Sequence, residues 1–107
     1  MLRAEGVQID PETGDVTRLG EPVPLTRKER LLIRELAANA GRPVASDEML
    51  TNVWGSQYSS EVQYLRVWVS RLRSKLEKNP HSPALIKTVQ GIGYLLDAGA
   101  ESITAAG

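Results

Sequence analysis

The spacing of apolar residues changes twice along this chain, from alternation to a helical repeat and back to alternation. In the first 25 residues Val7 and Ile9 alternate with polar neighbours, and Asp10 to Asp15 is a dense cluster of turn formers. Val16-Thr17-Arg18-Leu19 alternates again, Gly20 breaks it, and Val23 and Leu25 flank Pro24. Pro22 and Pro24 have no N–H for a ladder, so this last piece belongs at a sheet edge. The pattern predicts a small antiparallel sheet.

Helical spacing follows. Thr26-Arg27-Lys28-Glu29 has the form of a capping box, and Leu32, Leu36 and Ala40, with Ile33 and Ala37, repeat as one face. Asn39-Ala40-Gly41 is a stop, with Pro43 just beyond. Ser46 is the expected cap of a second, short helix whose apolar side is Leu50, Val53 and Trp54 and which Gly55 ends. After the polar loop 55–60, Ser60 to Gln63 reads as a second capping box. A long helix is expected from about Glu61 to about Lys78, stopped by Asn79-Pro80-His81-Ser82-Pro83. Its buried stripe is Val62, Leu65, Val69, Leu72 and Leu76.

Alternation then returns. Leu85 to Val89 and Tyr94 to Leu96 are strand-like, joined by the glycine-bearing turn Gln90-Gly91-Ile92-Gly93 into a hairpin. Residues 97–107, rich in Ala, Gly, Ser and Thr, are expected to be a disordered tail. The order is sheet, three helices, hairpin: one α+β domain over residues 1–96.

The outward side of the long helix is where composition matters. It carries Gln63, Val67, Ser70, Arg71, Ser74 and Lys78, with Arg66 and Arg73 along one flank and Tyr64 and Lys75 along the other. A solvated helix face usually mixes Glu with Lys or Arg for cross-turn pairs, yet here the acids, Glu61 and Glu77, sit only near the ends. Arginine forks suit guanine edges, glutamine suits adenine, and a valine methyl suits the thymine methyl. Small hydroxyls allow close approach and phosphate contact. The formal net charge is zero, but it is unevenly spread: −3 over residues 1–25, +1 over 26–59, +4 over 60–90 and −2 over 91–107. A basic segment of this kind is the electrostatic footprint of a nucleic-acid binder; a solvated face is the plainer alternative. Arg42 and Lys87 are candidates for added backbone contacts. Thr88 and Gln90 would be the hairpin's contacts with a neighbouring minor groove.

Other chemistry finds little support. There is no Cys, so neither disulfides nor thiolate catalysis enters, and the single histidine, His81, sits in a proline-flanked loop without an acidic neighbour. No catalytic constellation or metal-ligand spacing is visible, and no cofactor is implied. Gly91-Ile92-Gly93 lacks the third glycine and the following helix of a dinucleotide loop. No apolar run reaches the roughly 20 residues of a membrane span, and the start of the chain lacks a signal-peptide core. A cytoplasmic non-enzyme is expected. The competing class is a protein-docking module, for which the acidic first 25 residues offer a surface.

Four blocks together resemble one family: Leu25 to Glu29, Leu50 to Gly55, Val69 to Glu77, and Thr88 to Tyr94. They are similar to the effector domain of OmpR/PhoB-type response regulators, over about residues 3–96. Within that family, Gln63 to Val67 and Gly91 to Tyr94 are most similar to regulators of a potassium-transport operon. The resemblance implies a winged helix-turn-helix with a four-stranded N-terminal sheet, three helices and a C-terminal hairpin wing. It implies base reading by Arg66 and Arg73, DNA contact by Arg71, phosphate contact by Trp54, and a loop facing RNA polymerase formed by Gly55, Ser56, Gln57, Tyr58 and Ser59. It further implies promoter DNA as ligand, bound as a dimer on tandem sites, a sensor kinase as partner, and a receiver domain that this stretch lacks. Gln90 stands where many members carry arginine, which bears on minor-groove insertion by the wing.

Overall fold

The computed structural model describes residues 1–100. Its elements are β1 (Leu2–Ala4), β2 (Val7–Ile9), β3 (Val16–Arg18), β4 (Glu21–Pro22), α1 (Arg27–Ala38), β5 (Val44–Ala45), α2 (Ser46–Trp54), α3 (Val62–Leu76), β6 (Ile86–Val89), β7 (Gly93–Leu96) and β8 (Gly99–Ala100). A 3₁₀ turn, Ser56–Tyr58, connects α2 to α3.

The alternating first segment folds as an antiparallel sheet in the order β4-β3-β2-β1-β8, with the proline-bearing β4 at its edge. Leu2, Val7, Ile9 and Val16 turn inward and are buried. A second sheet has the order β5-β7-β6. Each sheet holds one strand more than the sequence suggested. β5 is too short to show periodicity. β8 corrects the expectation of disorder from residue 97 onward. The Asp97 N–H donates to the Leu85 carbonyl at 2.7 Å, Ala98 is buried, and Gly99 pairs with Arg3 on the open edge of β1. Residues 101–107 of the expected tail lie outside the described residues.

Between the sheets, Leu32, Ile33 and Leu36 of α1, Met49, Leu50 and Val53 of α2, and Leu65, Val69, Leu72 and Leu76 of α3 form one core with Leu85, Ile86 and Leu96 of the hairpin. Val62 was expected in that stripe but is exposed. It is the first residue of α3, and lines the cleft between that helix and the hairpin turn.

The capping box of α1 forms as expected: Thr26 Oγ1 accepts from the Glu29 N–H at 3.3 Å, and Glu29 Oε1 accepts from the Thr26 N–H at 2.8 Å. Glu29 is almost fully buried, and Lys75 of α3 donates to it at 2.6 Å and to the Pro24 carbonyl at 3.0 Å. Burial pushes the Glu29 carboxyl up, but the Lys75 and Thr26 hydrogen bonds outweigh it and hold the group below the ordinary glutamate value.

Two expected caps do not form. Ser46 is the first residue of α2, not its cap: Ala45 takes the cap position as the chain leaves β5, with no side-chain acceptor to offer, and the Ser46 N–H is given to the Ile92 carbonyl at 3.0 Å. The Ser60 box is likewise absent. The Glu61 N–H bonds Tyr58 and the Val62 N–H bonds Ser60, so the loop backbone satisfies the start of α3 itself. At its other end α3 stops at Leu76 rather than near Lys78. Glu77 turns to an extended conformation, is 3% exposed, and its carboxylate accepts the N–H groups of Ala84, Leu85 and Ile86 at 2.7–3.1 Å.

Two outcomes test these anchors. Glu77→Ala leaves the buried N–H groups of Leu85 and Ile86 without partners and should destabilise the domain by roughly 3 kcal/mol. Urea unfolding measures this, and a loss under about 0.5 kcal/mol would contradict the anchoring role. Glu29, held low when folded, contributes stability that is present above the ordinary carboxylate range and is lost as pH falls through its folded value. Lys75→Met should therefore be less stable than wild type at neutral pH, with the gap narrowing as the solution is acidified.

Candidate nucleic-acid interface

The face of α3 opposite the core carries Gln63, Arg66, Val67, Ser70, Arg71 and Ser74, all exposed. No acidic residue occurs between Val62 and Leu76. The helix therefore presents hydroxyl, amide and guanidinium groups in an unopposed positive field, with Val67 half exposed among them. Among the described residues, the Arg66 side chain has no hydrogen-bond or ion-pair partner. Lys78 lies beyond the helix end, a correction to its expected place on this face.

Beside α3 stands the β6–β7 hairpin, with Val89 opposite Gly93 and Ile86 opposite Leu96. The Ile92 N–H donates to the Val89 carbonyl at 3.0 Å and closes the turn. The two turn glycines serve different ends. Gly91 adopts φ +78, which disfavours other residues. Gly93 is needed for close approach: a Cβ there would lie 2.0 Å from the Val44 carbonyl oxygen of β5. A cleft runs between hairpin and helix, and Val62, Arg66, Thr88, Gln90 and Ile92 all line it. The structure thus brings Arg66, Thr88 and Gln90 together, as the sequence proposed separately for helix and wing. It adds the exposed apolar Val62, which periodicity had assigned to the core, and Ile92 of the turn.

Arg73 is placed differently from Arg66. Its Nε and Nη2 donate to the Ile86 carbonyl at 3.0 and 2.7 Å, and Nη2 also donates to Thr88 Oγ1 at 3.0 Å. The guanidinium lies 5.6 Å from the centre of the Tyr94 ring. Burial lowers its pKa below the ordinary arginine value, opposed by Tyr94 and Glu77.

On the opposite flank, Trp54, Tyr58, Tyr64 and Trp68 form an aromatic cluster, with Trp54 5.2 Å from Tyr64 and 5.6 Å from Trp68. Arg71 stacks over Trp68 at 4.9 Å, and Lys28 over Trp54 at 5.8 Å. Trp54 is thus half-buried and shared between α2 and α3. In the loop 55–59, Ser56 and Gln57 are exposed, while Tyr58 and Ser59 are partly covered. Of the other basic candidates, Lys87 pairs with Asp97 at 2.6 Å, and Arg42 is exposed. Among the described residues there is no His, Cys, Asp and Glu grouping suited to a metal, and no helix long and apolar enough to cross a membrane.

Comparison with known proteins gives these features a context. The family described as transcriptional regulatory protein, C terminal, matches residues 20–96. The sensory transduction protein RegX3 of Mycolicibacterium smegmatis is 39% identical over 97 residues, covering 91% of this chain and 42% of that protein. The transcriptional regulatory protein KdpE of Mycobacterium tuberculosis is 36% identical over 98 residues, covering 92% and 43%. The chain therefore spans less than half the length of these curated relatives. Among solved structures, the Klebsiella pneumoniae RstA DNA-binding domain in complex with the RstA box superposes with a TM-score of 0.76 at 35% identity, over 90% of this chain and 96% of that one. DrrB, a Thermotoga maritima OmpR/PhoB homologue, gives a TM-score of 0.76 at 28% identity, over 90% of this chain and 44% of its own.

The packing of Gly93 against β5 yields a direct test of how the hairpin is seated. Gly93→Ala should destabilise the domain by about 2–4 kcal/mol, because the clash is with backbone and not with a movable side chain. Thermal unfolding reads the loss, and a stability equal to wild type would show that the hairpin can sit further from β5.

Proposed function

The chain belongs to the OmpR/PhoB-type family of transcriptional regulatory C-terminal domains, and from that premise we propose that it binds double-stranded promoter DNA with sequence preference. The family is one of effector domains rather than catalysts. α3 lies in the major groove, and the β6–β7 hairpin lies as a wing against the adjoining minor groove. The observation that carries this reading is the acid-free outer face of α3, with the Arg66 fork, unpartnered among the described residues, opening into a cleft shared with Thr88 and Gln90. Arg66 reads a guanine edge; Gln63 and Val67 contact neighbouring bases; Ser70, Ser74, Arg71 and Trp54 address phosphates and groove walls. Likeness to the RstA domain, whose solved complex is with the RstA box, supports the same mode of docking.

The wider reading follows the family. The domain is the output half of a response regulator, joined to a receiver domain that a sensor kinase phosphorylates, and it binds tandem sites as a dimer. Its loop Gly55–Ser59, with Ser56 and Gln57 exposed, faces RNA polymerase. A potassium-transport promoter is the target we put forward, supported by the likeness to KdpE at 36% identity. RegX3 matches at 39%, so the promoter choice is tested directly against a randomised pool.

Fluorescence-anisotropy titrations check the core of this proposal. Binding should weaken steeply with added salt, as counterion release requires. Arg66→Ala should cost about 1–3 kcal/mol on the preferred duplex and flatten its preference over random DNA. Lys78, exposed just past the end of α3, is assigned to phosphate alone, so Lys78→Ala should weaken all duplexes alike and reduce the salt slope by about one. Equal losses for Arg66→Ala on preferred and random DNA would overturn the base-reading role.

A further inference from the structure

Sequence and resemblance pair Arg73 with Arg66 as equivalent base readers, but the structure separates them. An arginine has five N–H donors. The one on Nε and both on Nη2 are engaged by the Ile86 carbonyl and Thr88 Oγ1. A bidentate fork to guanine draws on two different nitrogens, so Arg73 would have to release at least one of these bonds to make it. The site is also built to keep the group in place: the guanidinium is half-buried over Tyr94 of β7. One turn further along the chain, the Glu77 carboxylate accepts the N–H of the same Ile86 whose carbonyl Arg73 holds. Arg66, by contrast, is exposed on the same flank and without a partner among the described residues.

We infer that Arg73 is a positioning residue, which clamps the first strand of the wing to α3 and so sets the width of the cleft, and that base discrimination on this flank rests on Arg66 alone. The inference rests on the DNA-binding reading for its consequence but not for its geometry. A wing held at a fixed angle presents Thr88 and Gln90 to the duplex together with Arg66. A wing released from α3 must be ordered on binding, which weakens binding to every sequence alike.

The test uses the 107-residue chain, with Arg73→Lys, Arg73→Met and Thr88→Val. Amide hydrogen exchange is measured first, on the free protein. Arg73→Met should speed exchange of hairpin amides from Thr88 to Tyr94 about ten-fold while leaving the centre of α3 unchanged. Thr88→Val, which removes one acceptor and keeps the arginine, should give a smaller increase confined to the same amides. Unaltered hairpin exchange in both would overturn the clamp. Affinities are then measured on the duplex that the wild-type chain enriches from a randomised pool, and on its single-base-pair variants. Arg73→Met should weaken all of them by a similar factor, and Arg73→Lys should fail to restore binding, since a single ammonium nitrogen lacks the planar fork whose Nε and Nη2 reach the Ile86 carbonyl and Thr88 Oγ1 together. Loss of preference at one base pair would make Arg73 a base reader after all, and full rescue by lysine would make it a phosphate contact. If the wild-type chain enriches no duplex, the DNA-binding reading fails, while the exchange result still decides the clamp.

Discussion

Ile86 is held at the C-terminal end of α3 through both halves of its backbone, by Arg73 of the helix and by Glu77 that caps it. Glu77 accepts its N–H at 2.7 Å, and Arg73 donates to its carbonyl at 2.7 Å. The two side chains are four residues apart, the spacing that puts them on one side of a helix end. This grip fixes the start of β6. Glu77 also takes the N–H groups of Ala84 and Leu85, so the carboxylate both ends the helix and starts the strand. A buried carboxylate is costly unless its lone pairs are filled; here three backbone donors fill them. The same peptide groups would otherwise be unpaired at the rim of the core, beside Leu85 and Ile86, which are fully buried.

The grip gives the outer surface its order. With β6 fixed to α3 and β7 seated on β5 through Gly93, the hairpin stands beside the helix rather than swinging from its end. The cleft between them then has two rigid walls. The acids that make the first 25 residues negative lie in the N-terminal sheet and its turns, while α3 has none. A chain of zero net charge thus presents an acid-free basic helix face beside the wing.

Much of this was legible in the sequence because it repeats or caps. The α1 box needs only two side chains three residues apart, and it forms. The stripe Leu65, Val69, Leu72 and Leu76 follows from helical period alone, and these residues are buried. What escaped depends on contacts between distant residues. Ser46 and Ser60 have the right type to cap, but strand pairing and the 3₁₀ turn place Ala45 and Glu61 in the cap positions instead. Glu77 reads as a helix-end charge until Ala84, Leu85 and Ile86 are brought to it. Arg66 and Arg73 are seven residues apart and indistinguishable by period. Only the position of β6 separates an open fork from an engaged one. β5 and β8 are two residues each, too short for any pattern, and exist because β7 and β1 offer edges. The resemblance to a known family supplied the wing and the four-stranded sheet, which composition alone did not.

The central claim is that α3 and the hairpin form one duplex-binding surface. The most direct test is amide and side-chain NMR of the chain titrated with the duplex it enriches from a random pool. The account predicts shift changes that cluster at Gln63, Arg66, Val67 and Ser70 on the helix and at Thr88 and Gln90 on the wing, with β1 to β3 silent. Changes centred on the N-terminal sheet, or on the helix without the wing, would contradict it.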